Sequence, residues 1–200
     1  MYFSISTLAL LASFVAIVQA SPTNIPSLTE QGFTENQVKV ANGSIVSVWV
    51  RNTTAITNDT NISASKCGDF WSVYYPFDIP RNECENSSLF KATCELSASV
   101  PDCQAIVNQL TEKPGNFEFH CWSKWNGDGF HTLIQTGQCA FGISMVDATW
   151  TGGIIGNTDI TDLIIYSWKY AQNERVGTYG QLKCGGGTRP PTFAWALYRP

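Results

Sequence analysis

Seven cysteines, Cys67, Cys84, Cys94, Cys103, Cys121, Cys139 and Cys184, all lie beyond residue 66, and nothing else in the chain constrains its fold as strongly. Their pairing demands an oxidising compartment, and an odd count leaves at least one thiol outside any intrachain bridge. Seven thiols among 200 residues fall well short of the ~8–10% at which disulfides alone hold a scaffold. The bridges are therefore expected to staple a real core, which a composition 44% hydrophobic and 12% aromatic can supply. A chain shorter than ~250 residues is expected to build one such core, plus whatever short segment precedes it.

The start of the chain gives an address. Residues 1–20, MYFSISTLALLASFVAIVQA, carry no charged side chain. Leu8 to Val18 has the length of a signal-peptide apolar region and is short for a bilayer span, and Val18-Gln19-Ala20 places small or β-branched residues where a signal peptidase reads. The expectation is a cleaved signal peptide over 1–20 and a secreted, extracellular product. Glycosylation sequons at Asn42, Asn52, Asn58, Asn61 and Asn86 agree with that route. No later stretch approaches the ~18–20 apolar residues of a membrane helix, and Phe193 to Pro200 lacks the apolar tail that precedes a lipid anchor. A net charge of −4 opposes a sequence-independent nucleic-acid partner, because phosphate contacts need a basic face.

Residues 21–66 form a separate compositional block, free of cysteine and rich in Asn and Thr. Val38 and Val40 alternate with polar residues, Asn42-Gly43 is a hairpin turn signal, and Ile45 to Val50 is β-branched. This predicts a hairpin followed by a glycosylated loop from Arg51 to Lys66. From Cys67 to Phe90 no period holds, which predicts loop with short strands. Over 67–200 two helices stand out. Ser99-Val100-Pro101-Asp102 has the spacing of a capping box, and Cys103, Ile106, Val107 and Leu110 form an apolar stripe that Pro114-Gly115 ends. A second helix opens at Asn157 or Thr158 with Asp159 and Asp162 in its first turn and buries Ile160, Leu163, Ile164, Trp168 and Ala171. Strands are expected at 117–122, 130–136, 138–143, 179–184 and 193–198, with 130–136 the partner of 117–122. Hairpins plus two separate helices predict an α+β fold, an antiparallel sheet with both helices packed on one face.

Three bridges drawn from seven cysteines allow roughly a hundred arrangements, and face assignment prunes them. Cys103 lies on the helix stripe and Cys139 shares a strand face with Phe141 and Ile143, so their bridge would pin helix to sheet. Cys67 with Cys184 would tie the two ends of the patterned region, Cys84 with Cys94 can pair locally, and Cys121 is left as a buried thiol. Cys103 with Cys121 is the competing pair.

Candidate chemistry is sparse. There is no C-x-x-C and no G-x-S-x-G, and neither histidine has a ligand partner at helical spacing, so no metal or other cofactor is expected. Glu118 and His120 share a strand face, and with His131 on the expected partner strand they could serve as base and acid of a secreted ribonuclease-like hydrolase. The plain alternative is a solvated sheet face. Asp159 and Asp162 could be paired carboxylates, although a first helical turn favours acids anyway. Among seven tryptophans, Trp168 and Trp195 read as core, whereas Trp71, Trp122 and Trp125 could be exposed and form a glycan-stacking platform.

Several segments in order carry a resemblance: Asp102-Cys103 opening a helix, Gly137-Gln138-Cys139-Ala140-Phe141-Gly142, Gly156-Asn157-Thr158-Asp159-Ile160-Thr161-Asp162-Leu163, Val176-Gly177 through Gly180 to Cys184, and Trp195-Ala196-Leu197-Tyr198. Over about 67–198 the chain resembles the secreted fungal effector domain of the tomato leaf-mould extracellular protein, a family named for necrosis induction. The resemblance implies a killer-toxin-like α/β sandwich, similar to the smut-virus toxin. It also implies a virulence-related monomer without catalysis that binds an extracellular host or microbial protein. The family cysteines would be Cys67, Cys103, Cys139 and Cys184. Cys84 and Cys94 would then sit in an insertion, Cys121 would be extra, and residues 21–66 have no counterpart. A ribonuclease-like hydrolase and a glycan-binding module remain as alternatives.

Overall fold

A computed structural model of the chain describes residues 27–40, 43–52, 71–120, 130–146, 152–185 and 190–200. The expected leader, Asn42, Asn58, Asn61, Cys67, Cys121, Trp122 and Trp125 lie outside these residues.

Period-two alternation builds the principal layer. Strand β1 (Phe33–Lys39) pairs antiparallel with β2 (Ile45–Arg51), Val38 opposite Val46, so the hairpin expected from Val38 to Val50 is present. It is not set apart from the remainder. Strand β2 pairs with β7 (His131–Thr136) through Trp49 and Gln135, and so joins a seven-stranded sheet. That sheet continues through β8 (Cys139–Met145), β12 (Thr192–Tyr198) and β11 (Thr178–Lys183) to β4 (Phe90–Lys91), in the order β1-β2-β7-β8-β12-β11-β4. Its inner face carries Val48, Val50, Ile134, Phe141, Ile143, Trp195, Phe193 and Leu182, all buried. The rings of Phe141 and Trp195 stack across paired strands with centroids 6.1 Å apart.

Both helices cover this inner face. Helix α1 (Val100–Glu112) takes Pro101 in its first turn, where the missing N–H is harmless, and buries Cys103, Ile106, Val107 and Leu110. The capping expectation needs correction. Ser99 makes no side-chain cap, and the Asp102 carboxylate instead accepts the Gln138 N–H (2.8 Å) in the turn between β7 and β8. Helix α2 (Asn157–Ser167) begins as expected and buries Ile160, Leu163 and Ile164. Trp168 starts a short 3-10 turn (Trp168–Tyr170) and is half-buried against the core rather than inside it. The Ser167 hydroxyl, bonded to the Leu163 carbonyl and to Thr178 Oγ1, fastens the end of α2 to β11.

A second, three-stranded sheet closes the core beside the helices: β3 (Trp71–Pro76), β6 (Gly115–His120) and β9 (Gly152–Gly156), with β6 in the centre. Phe119 of β6 meets Phe193 of β12 edge-on at 5.0 Å, so the two sheets share one core. Here the expected pairing of 117–122 with 130–136 fails: β6 pairs with β3 and β9, whereas β7 pairs with β2 and β8. A hairpin would have put Phe117 and Phe119 in the same layer as Ile134. Instead they approach the core from the opposite side. Strand β9 can lie so close because Gly153 has no side chain, and a Cβ there would sit 2.6 Å from the Phe193 ring and 2.8 Å from Phe119. A last pair, β5 (Ala98–Ser99) with β10 (Arg175–Val176), ties the segment before α1 to the segment after α2. The architecture is antiparallel α+β, stapled by two disulfides among the described residues.

Candidate functional site

Disulfides come first, because one of them shapes the surface. Cys103 of α1 is bonded to Cys139 of β8, and Cys84 is bonded to Cys184. The pairings of Cys84 with Cys94 and of Cys67 with Cys184 are thereby overturned. Cys84 and Cys184 face each other in an antiparallel bridge at the end of β11, while Cys94 is exposed with a free thiol. Its thiol is drawn below the ordinary range chiefly by the Ser97 hydroxyl.

The Cys84–Cys184 bridge anchors a segment, residues 82–89, that runs along β11. The Glu85 N–H donates to the Lys183 carbonyl (2.8 Å) and the Ser88 N–H to the Gln181 carbonyl (2.9 Å). The Gln181 N–H returns to Ser88 Oγ (2.9 Å). Gly180 admits this approach, since a Cβ there would strike the Ser88 carbonyl. Ser87 Oγ accepts the indole N–H of fully buried Trp195 (2.8 Å), so the segment completes a core hydrogen bond. At its other end Asp159 holds it to α2, accepting N–H groups from Gly156, Glu83 and Cys84 at 2.8, 2.8 and 3.2 Å. Burial still pushes the Asp159 carboxyl above its ordinary range, against those three donors.

Between this segment and the outer flank of α2 lies a cleft of about 820 Å³, lined by Asn82, Glu85, Asn86, Asp162, Tyr166 and Lys169 among others. Its volume falls within the ~300–1,000 Å³ usual for ligand clefts. Tyr166 is 61% exposed, with the Lys169 ammonium over its ring at 5.4 Å from the centroid. The walls carry amides, carboxylates, one cation and the Tyr166 ring, together with Leu89, Leu163 and Leu182, a mixed set suited to a neutral polyhydroxylated ligand that also has apolar C–H faces. Among the described residues no group of His, Cys, Asp and Glu could hold a metal ion.

A second surface feature lies on the outer face of the large sheet. Phe90 and Tyr179 are 54% and 48% exposed and face each other across β4 and β11, with ring centroids 5.5 Å apart.

The acid–base group proposed from sequence is not assembled by strand pairing, because Glu118 stands on β6 and His131 on β7, in different sheets. Burial, and secondarily the Arg51 guanidinium, push the His131 imidazole down to about 3, so it is neutral at physiological pH. The side chains of His120 and Trp71 lie outside the described residues. Asp159 is a clamp, and Asp162 lines the cleft. Of the sequon asparagines, Asn52 is half-buried at the end of β2 and Asn86 is exposed on the cleft rim. The cleft itself could not be read from sequence, since residues 82–89 carry no periodic pattern. The signals there were Cys84 and the Asn86 sequon, and neither implies a cleft.

A family model described as "Pathogen effector; putative necrosis-inducing factor" matches residues 83–184. The chain belongs to this Hce2 family. The match is shorter than the 67–198 that the resemblance suggested; it opens at Glu83, next to Cys84, and closes at Cys184, so the bonded pair stands at its two ends. Cys84, expected in an insertion between Cys67 and Cys103, lies inside the Hce2 span. The span contains both helices, the cleft apart from Asn82, and the Phe90–Tyr179 pair. No curated protein matches the chain. No helix among the described residues is long and apolar enough to cross a membrane.

Proposed function

We propose that this Hce2 protein is a secreted effector that acts by contact: its folded surface engages an extracellular partner in a host or a competing microbe, and no reaction is catalysed. The family match over residues 83–184 carries this reading. Two other observations support it. The separation of Glu118 from His131 and the neutral imidazole give no support to the hydrolase alternative. The adjacent exposed rings of Phe90 and Tyr179 suit a protein partner, since aromatic side chains supply much of the binding energy at interfaces. Export through an oxidising route, with removal of residues 1–20, accounts for the disulfides and the sequons.

Leaf infiltration tests the proposal with three samples: the oxidised protein, a reduced and alkylated control, and Phe90→Ser with Tyr179→Ser. The expected result is a cell-death response in at least one plant genotype to the first sample only. A response to the alkylated chain would rule out a folded contact surface. Silence in every genotype would remove the necrosis reading, and a fully active double variant would place the contact elsewhere.

A further inference from the structure

The cleft and the sequon at Asn86 occupy the same place. Asn86-Ser87-Ser88 is a linear acceptor signal, read in the secretory pathway before the chain has folded. In the folded protein Ser87 and Ser88 are turned to the sheet, through the Trp195 indole and the Gln181 backbone. Asn86 is exposed on the rim of the cleft. Across the cleft stands the exposed Tyr166, with the Lys169 ammonium over its ring at 5.4 Å from the centroid, and the ring offers a sugar whatever surface Lys169 leaves uncovered.

We propose that Asn86 carries an N-linked glycan whose first sugar is seated in this cleft against the Tyr166 ring. In forming it, the Asn86 amide nitrogen bonds to the anomeric carbon of a polyprenyl-diphosphate-linked oligosaccharide. The carbon–oxygen bond to the diphosphate breaks, the diphosphate leaves with the electron pair, and the amide gives up one proton. The chemistry of the walls fits such an occupant. A pyranose ring offers C–H groups to an aromatic face and hydroxyls to carboxylates and amides, and Asp162, Glu85 and Asn82 provide those acceptors and donors. A tethered sugar also binds as an intramolecular ligand, so a weak stacking contact suffices to hold it. The cleft is then filled by the protein's own glycan, and the Phe90–Tyr179 face is left open.

The test uses the full chain secreted from a host that glycosylates. Intact mass and glycopeptide analysis determine occupancy at Asn86. Enzymatic release of that glycan is then timed under native conditions and after denaturation. The proposal expects occupancy and slow native release. Tyr166→Ala is expected to speed release roughly tenfold, equivalent to about 1.4 kcal/mol, while Tyr166→Phe stays slow. Because Tyr166 is largely exposed, neither variant threatens folding. An unoccupied Asn86 in a chain glycosylated elsewhere overturns the proposal. So does native release as fast as that from the denatured chain, and so does slow release that Tyr166→Ala leaves unchanged.

Discussion

Asn157 is a polar side chain only 3% exposed, and it is tolerated there because its amide is satisfied on both sides. Its Oδ1 accepts the N–H groups of Arg81 (2.8 Å) and Gly115 (3.2 Å), and its Nδ2 donates to the Leu110 carbonyl (3.0 Å). One residue thereby joins the end of α1, the start of β6 and the irregular segment leading to the cleft wall. Asn157→Ala leaves one buried donor, one part-buried donor and one carbonyl without this partner, and we expect a loss of about 2–4 kcal/mol in urea denaturation. A change below about half of that would mean that water replaces the amide. His131 sets a pH dependence. Its folded value of about 3 lies below the ordinary 6.5, so between those values the unfolded chain binds a proton that the native protein refuses. Its contribution is complete above pH 6.5 and is lost as pH falls toward 3. The urea midpoint of the native chain should fall more between pH 7 and pH 4 than that of His131→Gln. Parallel pH profiles would contradict the assignment.

Elements were legible where one residue period ran long enough to name them. The stripe Cys103, Ile106, Val107 and Leu110 yields α1, and Ile160, Leu163 and Ile164 yield α2, because packing on one face imposes 3.6-residue spacing on its own. Strand β9 was not legible. Three of its five residues are glycine, chosen for what they leave out and not for strand preference. The partner of β6 was equally hidden, since alternation assigns faces without assigning neighbours. The same distinction separates Ser99 from Asp102. The S-x-x-D spacing suggested a cap, yet the Asp102 carboxylate reaches a neighbouring turn, a contact between elements that no local pattern encodes. Asp102→Ala should therefore cost about 1.5–3 kcal/mol, the range for a hydrogen bond to a charged group. Ser99→Ala should cost less than about 0.5 kcal/mol, since no side-chain cap is lost. Equal effects in thermal or urea unfolding would restore the capping box.

Across the whole molecule the two bridges are nested, Cys103–Cys139 inside the loop closed by Cys84–Cys184, with separations of 36 and 100 residues. In the chain-entropy model the inner bridge contributes about 3.8 kcal/mol. The inner bridge shortcuts the outer loop, and the outer contribution falls from about 4.7 to about 4.3 kcal/mol. Stability alone therefore hardly distinguishes the two, and both Ala pairs should destabilise by about 4 kcal/mol. Their local consequences differ. Cys103 and Cys139 join α1 to the middle of the sheet, among residues that are buried regardless. Cys84 and Cys184 hold an edge segment whose other ties are hydrogen bonds: a few to the β11 backbone, the Asp159 clamp and the Ser87 contact with the Trp195 indole. Removing that bridge is expected to let residues 85–92 open without global unfolding. The opening would release the cleft wall, the Ser87 partner of the Trp195 indole and the Phe90 half of the aromatic pair together. Hydrogen exchange at equal global stability separates the cases. The Cys84→Ala, Cys184→Ala chain should lose protection over 85–92, and the Cys103→Ala, Cys139→Ala chain should keep it. If contact through that edge is what makes this Hce2 protein an effector, only the first pair should lose leaf activity at temperatures where both remain folded.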